Sequence, residues 1–170
     1  MAAAPRILGI DPGLHVAGYA VLAGPARGPE LLEAGVIRSA GTTMPERLLS
    51  LYRGVGEVIA QFQPQVMAVE ELYAHYDHPR TAILMGHARG VFLLAAAAAG
   101  LETAAYAATE VKKLIAGHGR ATKEQMQLVI QREFHLATPP DPPDVADAIA
   151  VALCHWHRQG QAEGSPLLDD

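Results

Sequence analysis

A single cysteine, Cys154, leaves the chain without an internal disulfide. It falls within an apolar helical pattern, where a buried structural thiol is expected and redox chemistry is not. The chain is also short of positive charge, with 13 Lys and Arg against 18 Asp and Glu and a formal net charge of −5. That balance argues against nucleic-acid binding by bulk charge, which draws on an excess of Lys and Arg. It leaves open an enzyme that gathers acidic side chains around metal ions, because the cations neutralise them in the working state. Long apolar runs are missing too. The longest, Val91 to Leu101, is too short to span a bilayer and is flanked by His87, Arg89 and Glu102, so no membrane span is expected. The N-terminal MAAAPR lacks the charged start and long apolar stretch of a secretory signal, which makes a cytoplasmic location the expectation. Internal repeats and linkers of domain-separating size are also lacking. The 170 residues, half of them apolar, fit one domain over residues 1–158, with a polar tail over 159–170 that is expected to be disordered.

What is present reads as alternating strands and helices. Arg6 to Ile10 form a short strand that halts at Asp11, and Pro12-Gly13 turns the chain. His15 to Ala23 and Glu30 to Arg38 follow as strands, and three strands with short turns predict an antiparallel meander. Thr43-x-x-Glu46 has the form of a capping box, and Leu48, Leu49, Tyr52, Val55, Ile59 and Phe62 then recur at helical spacing up to Gln63-Pro64. The run Gln65 to Glu70 has no alternation, as expected of a strand buried on both faces, and it too ends on a carboxylate. A helix over residues 80–99 is apolar nearly all round, so either its own domain or a partner must cover it. A brief strand, Thr103 to Tyr106, precedes helices near 109–116 and 122–134, the second opened by Thr122-x-x-Gln125. The Pro-rich segment 138–144 breaks the chain before a last helix, Val145 to Trp156. The order predicts an α/β mixed five-stranded sheet, three strands antiparallel and two parallel, with helices on both faces. Ligands in such sheets gather at the carboxyl ends of strands, where Asp11 and Glu70 lie.

Acidic residues carry the chemistry. Asp11 can cap its turn or project into a cleft as a ligand. Glu70 competes with Glu71, and the strand pattern does not choose between them. Asp144 and Asp147 are three apart at the start of a helix and project from nearly one face. Asp141 or Asp144 can serve as the N-cap of that helix. Asp147 is set among Val145, Ala146, Ala148, Ile149, Val151 and Ala152, where an unpaired charge is costly. Four carboxylates at one place repel, and divalent cations remove the problem. Oxygen-only ligation with waters retained suits Mg²⁺ or Mn²⁺. Two such ions, about 3.5–4 Å apart, can hold an attacking water and a leaving oxygen on either side of a phosphodiester.

The LGIDPG start with Gly18-Tyr19 after it, the AVEELY segment, GHARG at residues 86–90, the VKKLIAGHGRATK stretch and the closing DVADAIA together resemble the RuvC family of Holliday-junction resolvases. The resemblance covers roughly residues 6–157. It implies an RNase H-like fold and a homodimer with two active sites. It also implies paired metal-dependent nicks, in strands of like polarity, across a four-way DNA junction. It assigns the catalytic and metal-binding set to Asp11, Glu70, Asp144 and Asp147, with two Mg²⁺ or Mn²⁺ ions per site, and selects Glu70 over Glu71. Some family members carry His at the place of Asp144. Cooperation with the branch-migration proteins RuvA and RuvB is implied as well.

DNA contacts are expected at two places. The segment after Glu70 mixes Tyr73, His75, Tyr76, His78 and Arg80, and rings beside cations suit exposed bases and their phosphates. By resemblance, Tyr73 stacks on an unpaired base near the cut. Lys112, Lys113, Arg120 and Lys123 form the densest basic cluster, around glycines that let the backbone approach a phosphate. Matched to the family, Lys112 and Lys123 contact DNA near the scissile phosphate. His155 and His157, two apart on a helix, point to different sides and do not make a zinc pair. Trp156 is read as packing. A related nuclease acting on RNA and a non-catalytic junction binder are the alternatives. A nucleotide-dependent kinase or ATPase entered through IDPG would need a second comparable domain, which 170 residues do not contain.

Overall fold

The computed structural model describes residues 5–25, 28–72 and 78–163. The first three strands, β1 (Arg6–Asp11), β2 (Val16–Ala23) and β3 (Glu30–Arg38), form the antiparallel meander. Helix α1 (Met44–Phe62) opens on Thr43, whose side chain accepts the Glu46 N–H while the Glu46 carboxylate returns to the Thr43 N–H. It stops at Gln63, which adopts the left-handed region before Pro64. The chain then crosses to β4 (Val66–Glu70), which pairs parallel with β1, passes through α2 (Pro79–Ala98), and returns as β5 (Glu102–Tyr106), parallel to β4. The sheet order is β3-β2-β1-β4-β5. Helices α3 (Ala108–Ala116), α4 (Lys123–Glu133) and α5 (Pro143–Glu163) complete the chain.

Strand alternation sorts the core into two layers. Ile7, Ala20, Leu22, Val66 and Ala68 face one side and pack with α3, α4 and α5. Leu8, Ile10, Val21, Met67 and Val69 face the other and pack with Leu51, Val55 and Val58 of α1 and Phe92, Ala95 and Ala96 of α2.

Two readings from sequence are adjusted. Helix α5 runs from Pro143 to Glu163, so residues 159–163, placed in a polar tail, are helical, and residues 164–170 lie outside the described residues. Helix α2 is, by length and composition alone, long and apolar enough to cross a membrane, which the shorter run Val91 to Leu101 did not suggest. It is a core helix on one side, with Ala88 and Phe92 fully buried. On the other side Ile83 is 62% exposed and Leu94 60%.

Candidate active site

Asp11 is the last residue of β1 and Glu70 the last of β4, and these strands are parallel neighbours. Counting back by twos, Asp11 shares its face with Ile7 and Glu70 with Val66 and Ala68, all on the α5 side of the sheet. The next residue, Glu71, is exposed, so alternation places Glu70 in the site where the strand pattern alone left both open.

Helix α5 brings the other two carboxylates. Its first turn carries Asp144 and its second Asp147. The helix main chain rests directly on the sheet because β1 and β2 have glycine beneath it. A Cβ on Gly18 would collide with the Asp144 carbonyl oxygen, and one on Gly9 with the Ala148 carbonyl oxygen and the Ala152 methyl group. Gly18 stands opposite Asp11 in the β1/β2 register. The glycine next to the first carboxylate therefore admits the helix that carries the third and fourth.

Asp11, Glu70, Asp144 and Asp147 line one cavity of about 340 Å³, together with Lys112 of α3 and Lys123 of α4. Lys123 is delivered by the Thr122–Gln125 capping box, which makes it the first residue of α4. Burial above all pushes the Asp11 carboxyl up to about 8, with the charges of Asp147, Glu70 and Asp144 adding and Lys123 opposing. Burial also raises Glu70 to about 6, helped by Asp147 and opposed by Lys112 and Lys123. Asp147 is raised by burial too, with Lys123 the largest opposing charge. Two ammonium groups leave the cavity with excess negative charge. Among the described residues, no three His, Cys, Asp or Glu side chains close tightly enough around one point to hold an ion as they stand. The carboxylates ring a wider space.

Of the other expected contacts, Arg80 is exposed in the first turn of α2 and is not among the residues lining the cavity. Tyr73, His75 and Tyr76 lie outside the described residues. Lys113 and Arg120 are exposed and do not line the cavity. His155 is buried with its Nδ1 2.7 Å from the Tyr106 hydroxyl, whereas His157 packs edge-on against Trp156, so the two histidines do part company. Cys154 is buried, and burial pushes its thiol up to about 11.

Two features escaped the reading of the sequence. Arg89, within the GHARG segment, donates from Nε to the Glu70 carbonyl oxygen at 3.3 Å and so holds the end of β4. With Asp11, Glu70, Glu71, Leu72 and Met85 it lines a small adjoining cavity of about 40 Å³. The clearance roles of Gly9 and Gly18 were equally hidden, since neither sits at a turn. A glycine on the inner face of a buried strand was the available signal.

Residues 7–155 match the family model described as crossover junction endodeoxyribonuclease RuvC. A relative of that name from Rhodopirellula baltica is 53% identical over 151 residues, covering 87% of this chain and 84% of its own length. Another, from Pseudomonas putida strain W619, is 45% identical over 151 residues, covering 89% of this chain and 86% of its own. The solved structure of T. thermophilus RuvC in complex with a Holliday junction substrate aligns with a TM-score of 0.85 at 34% identity, covering 96% of this chain and 99% of that one. The RNase H-like fold is thus shared along nearly the whole length with that structure. On sequence and fold alike, the chain belongs to the RuvC family of crossover junction endodeoxyribonucleases.

Proposed function

We propose that the chain resolves four-way DNA junctions by hydrolysing phosphodiesters at the cavity lined by Asp11, Glu70, Asp144 and Asp147. The activity class is that of its family, an endodeoxyribonuclease acting at crossover junctions in recombination and repair. The alternatives, an RNA-directed nuclease or a silent junction binder, are not favoured. One observation carries the site: β1, β4 and α5 send four carboxylates, and α3 and α4 two lysines, into one cavity.

The donor set suits Mg²⁺ or Mn²⁺. All four acidic side chains offer hard oxygen, the cavity leaves room for retained waters, and the Asp11 carboxyl, raised by burial first and by its acidic neighbours second, is a group that a bound cation would stabilise in its ionised form. In this reading Asp11, Glu70, Asp144 and Asp147 hold two ions per site. Bound divalent cations supply the means of activating water and of stabilising the leaving oxygen. Lys112 and Lys123 hold the phosphate that enters the cavity, and their charge adds to the positive end of the α4 dipole. Pro12 and Gly13, which turn the chain after Asp11, line the same cavity. Tyr73 and Arg80 are retained as contacts to DNA outside the cavity.

Paired nicks require two sites, and α2 provides the surface for joining them. Ile83, His87, Gly90, Leu94 and Ala97 recur at three- and four-residue spacing and all are exposed. A homodimer that buries this face relates two cavities by a twofold axis, as a pseudo-twofold junction demands. Leu94→Asp is expected to halve the mass in light scattering. An unchanged dimer would place the interface elsewhere. Cooperation with RuvA and RuvB and a cytoplasmic location belong to the same proposal.

The decisive experiment is cleavage of a labelled four-way junction beside a linear duplex of the same sequence, with Mg²⁺, Mn²⁺ or EDTA, for wild type and Asp11→Asn. Metal-dependent paired nicks confined to the junction, slowed roughly 10³-fold or more in the variant while junction binding persists, are expected. Equal cutting of the duplex, or cutting in EDTA, would overturn the assignment.

A further inference from the structure

Away from the carboxylates, a polar pair, buried at His155 and partly buried at Tyr106, joins β5 to α5. Tyr106, the last residue of β5, points to the α5 side of the sheet, opposite Glu70 in the β4/β5 register, and its carbonyl accepts the Glu71 N–H at 2.8 Å. Its hydroxyl lies 2.7 Å from Nδ1 of His155, with the rings edge-on at 5.9 Å between centroids. His155 stands eight residues beyond Asp147 on α5, about 12 Å along the helix axis. Burial pushes the imidazole down against the pull of Glu102 and pushes the phenol up. The phenol oxygen and Nδ1 share one hydrogen bond. The other ring nitrogen, Nε2, is buried and without a partner among the described residues.

That pair is a poor choice for stability alone. A Phe and a Leu would fill the same space with no orphaned nitrogen. Its place in the chain suggests another use. The residue after Tyr106 is Ala107, the N-cap of α3, which has no side-chain cap, so the start of α3 is set by where β5 ends. Four residues into α3 comes buried Val111 and then Lys112, which lines the cavity. A second polar link, Glu110 to Arg158, also ties α3 to α5, but it lies on the surface, where such pairs hold weakly.

We propose that Tyr106 and His155 are positioning residues for junction cleavage: their hydrogen bond fixes the start of α3 against α5 and so sets Lys112 across the cavity from Asp144 and Asp147. The inference rests on the reading of Lys112 as a residue that holds the phosphate to be cut.

The test compares single-turnover cleavage and junction affinity for wild type, Tyr106→Phe, His155→Leu and His155→Asn, and for Tyr106→Phe combined with Lys112→Ala. Tyr106→Phe keeps the ring and its packing, so it reports the hydrogen bond without disturbing the fold. Tyr106→Phe and His155→Leu are expected to slow cleavage about tenfold, the scale of a small misplacement, with affinity unchanged. His155→Asn, whose Oδ1 can take the place of Nδ1, is expected to restore most of the rate. In the Lys112→Ala background Tyr106→Phe is expected to cost nothing further, because the route it acts through is gone. Full multiplication of the two losses, or wild-type cleavage by Tyr106→Phe while Lys112→Ala is slow, would overturn the inference and leave the site intact. Wild-type cleavage by Lys112→Ala would overturn both the inference and the role of Lys112 on which it rests.

Discussion

The two faces of the sheet are built from different materials. Toward α1 and α2 the strands present Leu8, Ile10, Val21, Met67 and Val69, and the helices answer with Leu51, Val55 and Phe92. Toward α5 the sheet presents Ile7, Leu22 and Val66 but also Gly9, Gly18, Ala20 and Ala68, and Ala148 and Ala152 of the helix come down over Gly9. Large side chains bury area, and swaps that conserve their volume are tolerated with slight repacking. Small ones bring backbone to backbone, where nothing can give way. The close approach is found where carboxylates from a strand and a helix must meet, while both faces bury large apolar side chains. The contrast extends to the outer surfaces, since α5 is buried from Val145 to His155 except at Asp147, while α2 leaves a stripe uncovered.

Gly18→Ala should disturb the molecule most. The added methyl would meet the main chain of Asp144, so a loss of about 2–4 kcal/mol in denaturant unfolding is expected. Cleavage per folded molecule should fall by roughly 10²-fold, because α5 must rise and take Asp144 and Asp147 with it. Leu51→Ala, on the opposite face, is expected to cost a similar 2–5 kcal/mol while leaving the cleavage rate of the folded protein unchanged at a permissive temperature. If both variants lost stability and cleavage in step, the division of labour between the faces would fail.

Acidity sharpens the same comparison. Without metal, Asp11 takes up its proton far more readily when folded, at about 8, than when unfolded, near 3.8, and Glu70 follows at about 6. Between those limits the native state binds more protons than the unfolded one, so stability of the metal-free protein should fall as pH rises from about 4 to 8 and level off above. Melting curves in EDTA at a series of pH values are expected to show a decline of several degrees. Asp11→Asn should flatten it, and excess Mg²⁺ should reverse it. A melting temperature that climbs across that range in EDTA would contradict the buried, mutually repelling carboxylates. The smallest effect belongs to Gly56→Ala, in the middle of α1 with open space beside it, which should stay neutral or gain up to about 1 kcal/mol.

Much of this was legible in the residues. The three-residue interval of Thr43 to Glu46 and of Thr122 to Gln125 announced both capping boxes, and the apolar runs stopping on Asp11 and Glu70 marked the strand ends, because those signals are local. The spacing of Asp144 and Asp147 was local too. What stayed hidden depends on residues far apart in sequence. Gly18 matters because Asp144 lies over it, Arg89 because Glu70 ends beside it, and Tyr106 because His155 comes 49 residues later. Glu70 against Glu71 is an intermediate case, since counting by twos from the buried Val66 settles it once the α5 side is known to hold the site. Arg80 was grouped with the aromatic segment by proximity in sequence, yet its position at the exposed start of α2 separates it from the cavity.

The order of the strands and helices also bears on when the enzyme can become dangerous. Asp11 is among the first residues made and Asp147 among the last, on the helix that must settle over Gly9 and Gly18. A nascent chain can form its meander and first crossover on the ribosome and still have only two of the four carboxylates. A synthesis product cut short before α5 lacks Asp144 and Asp147, so a prematurely terminated chain is expected to have no cleavage activity.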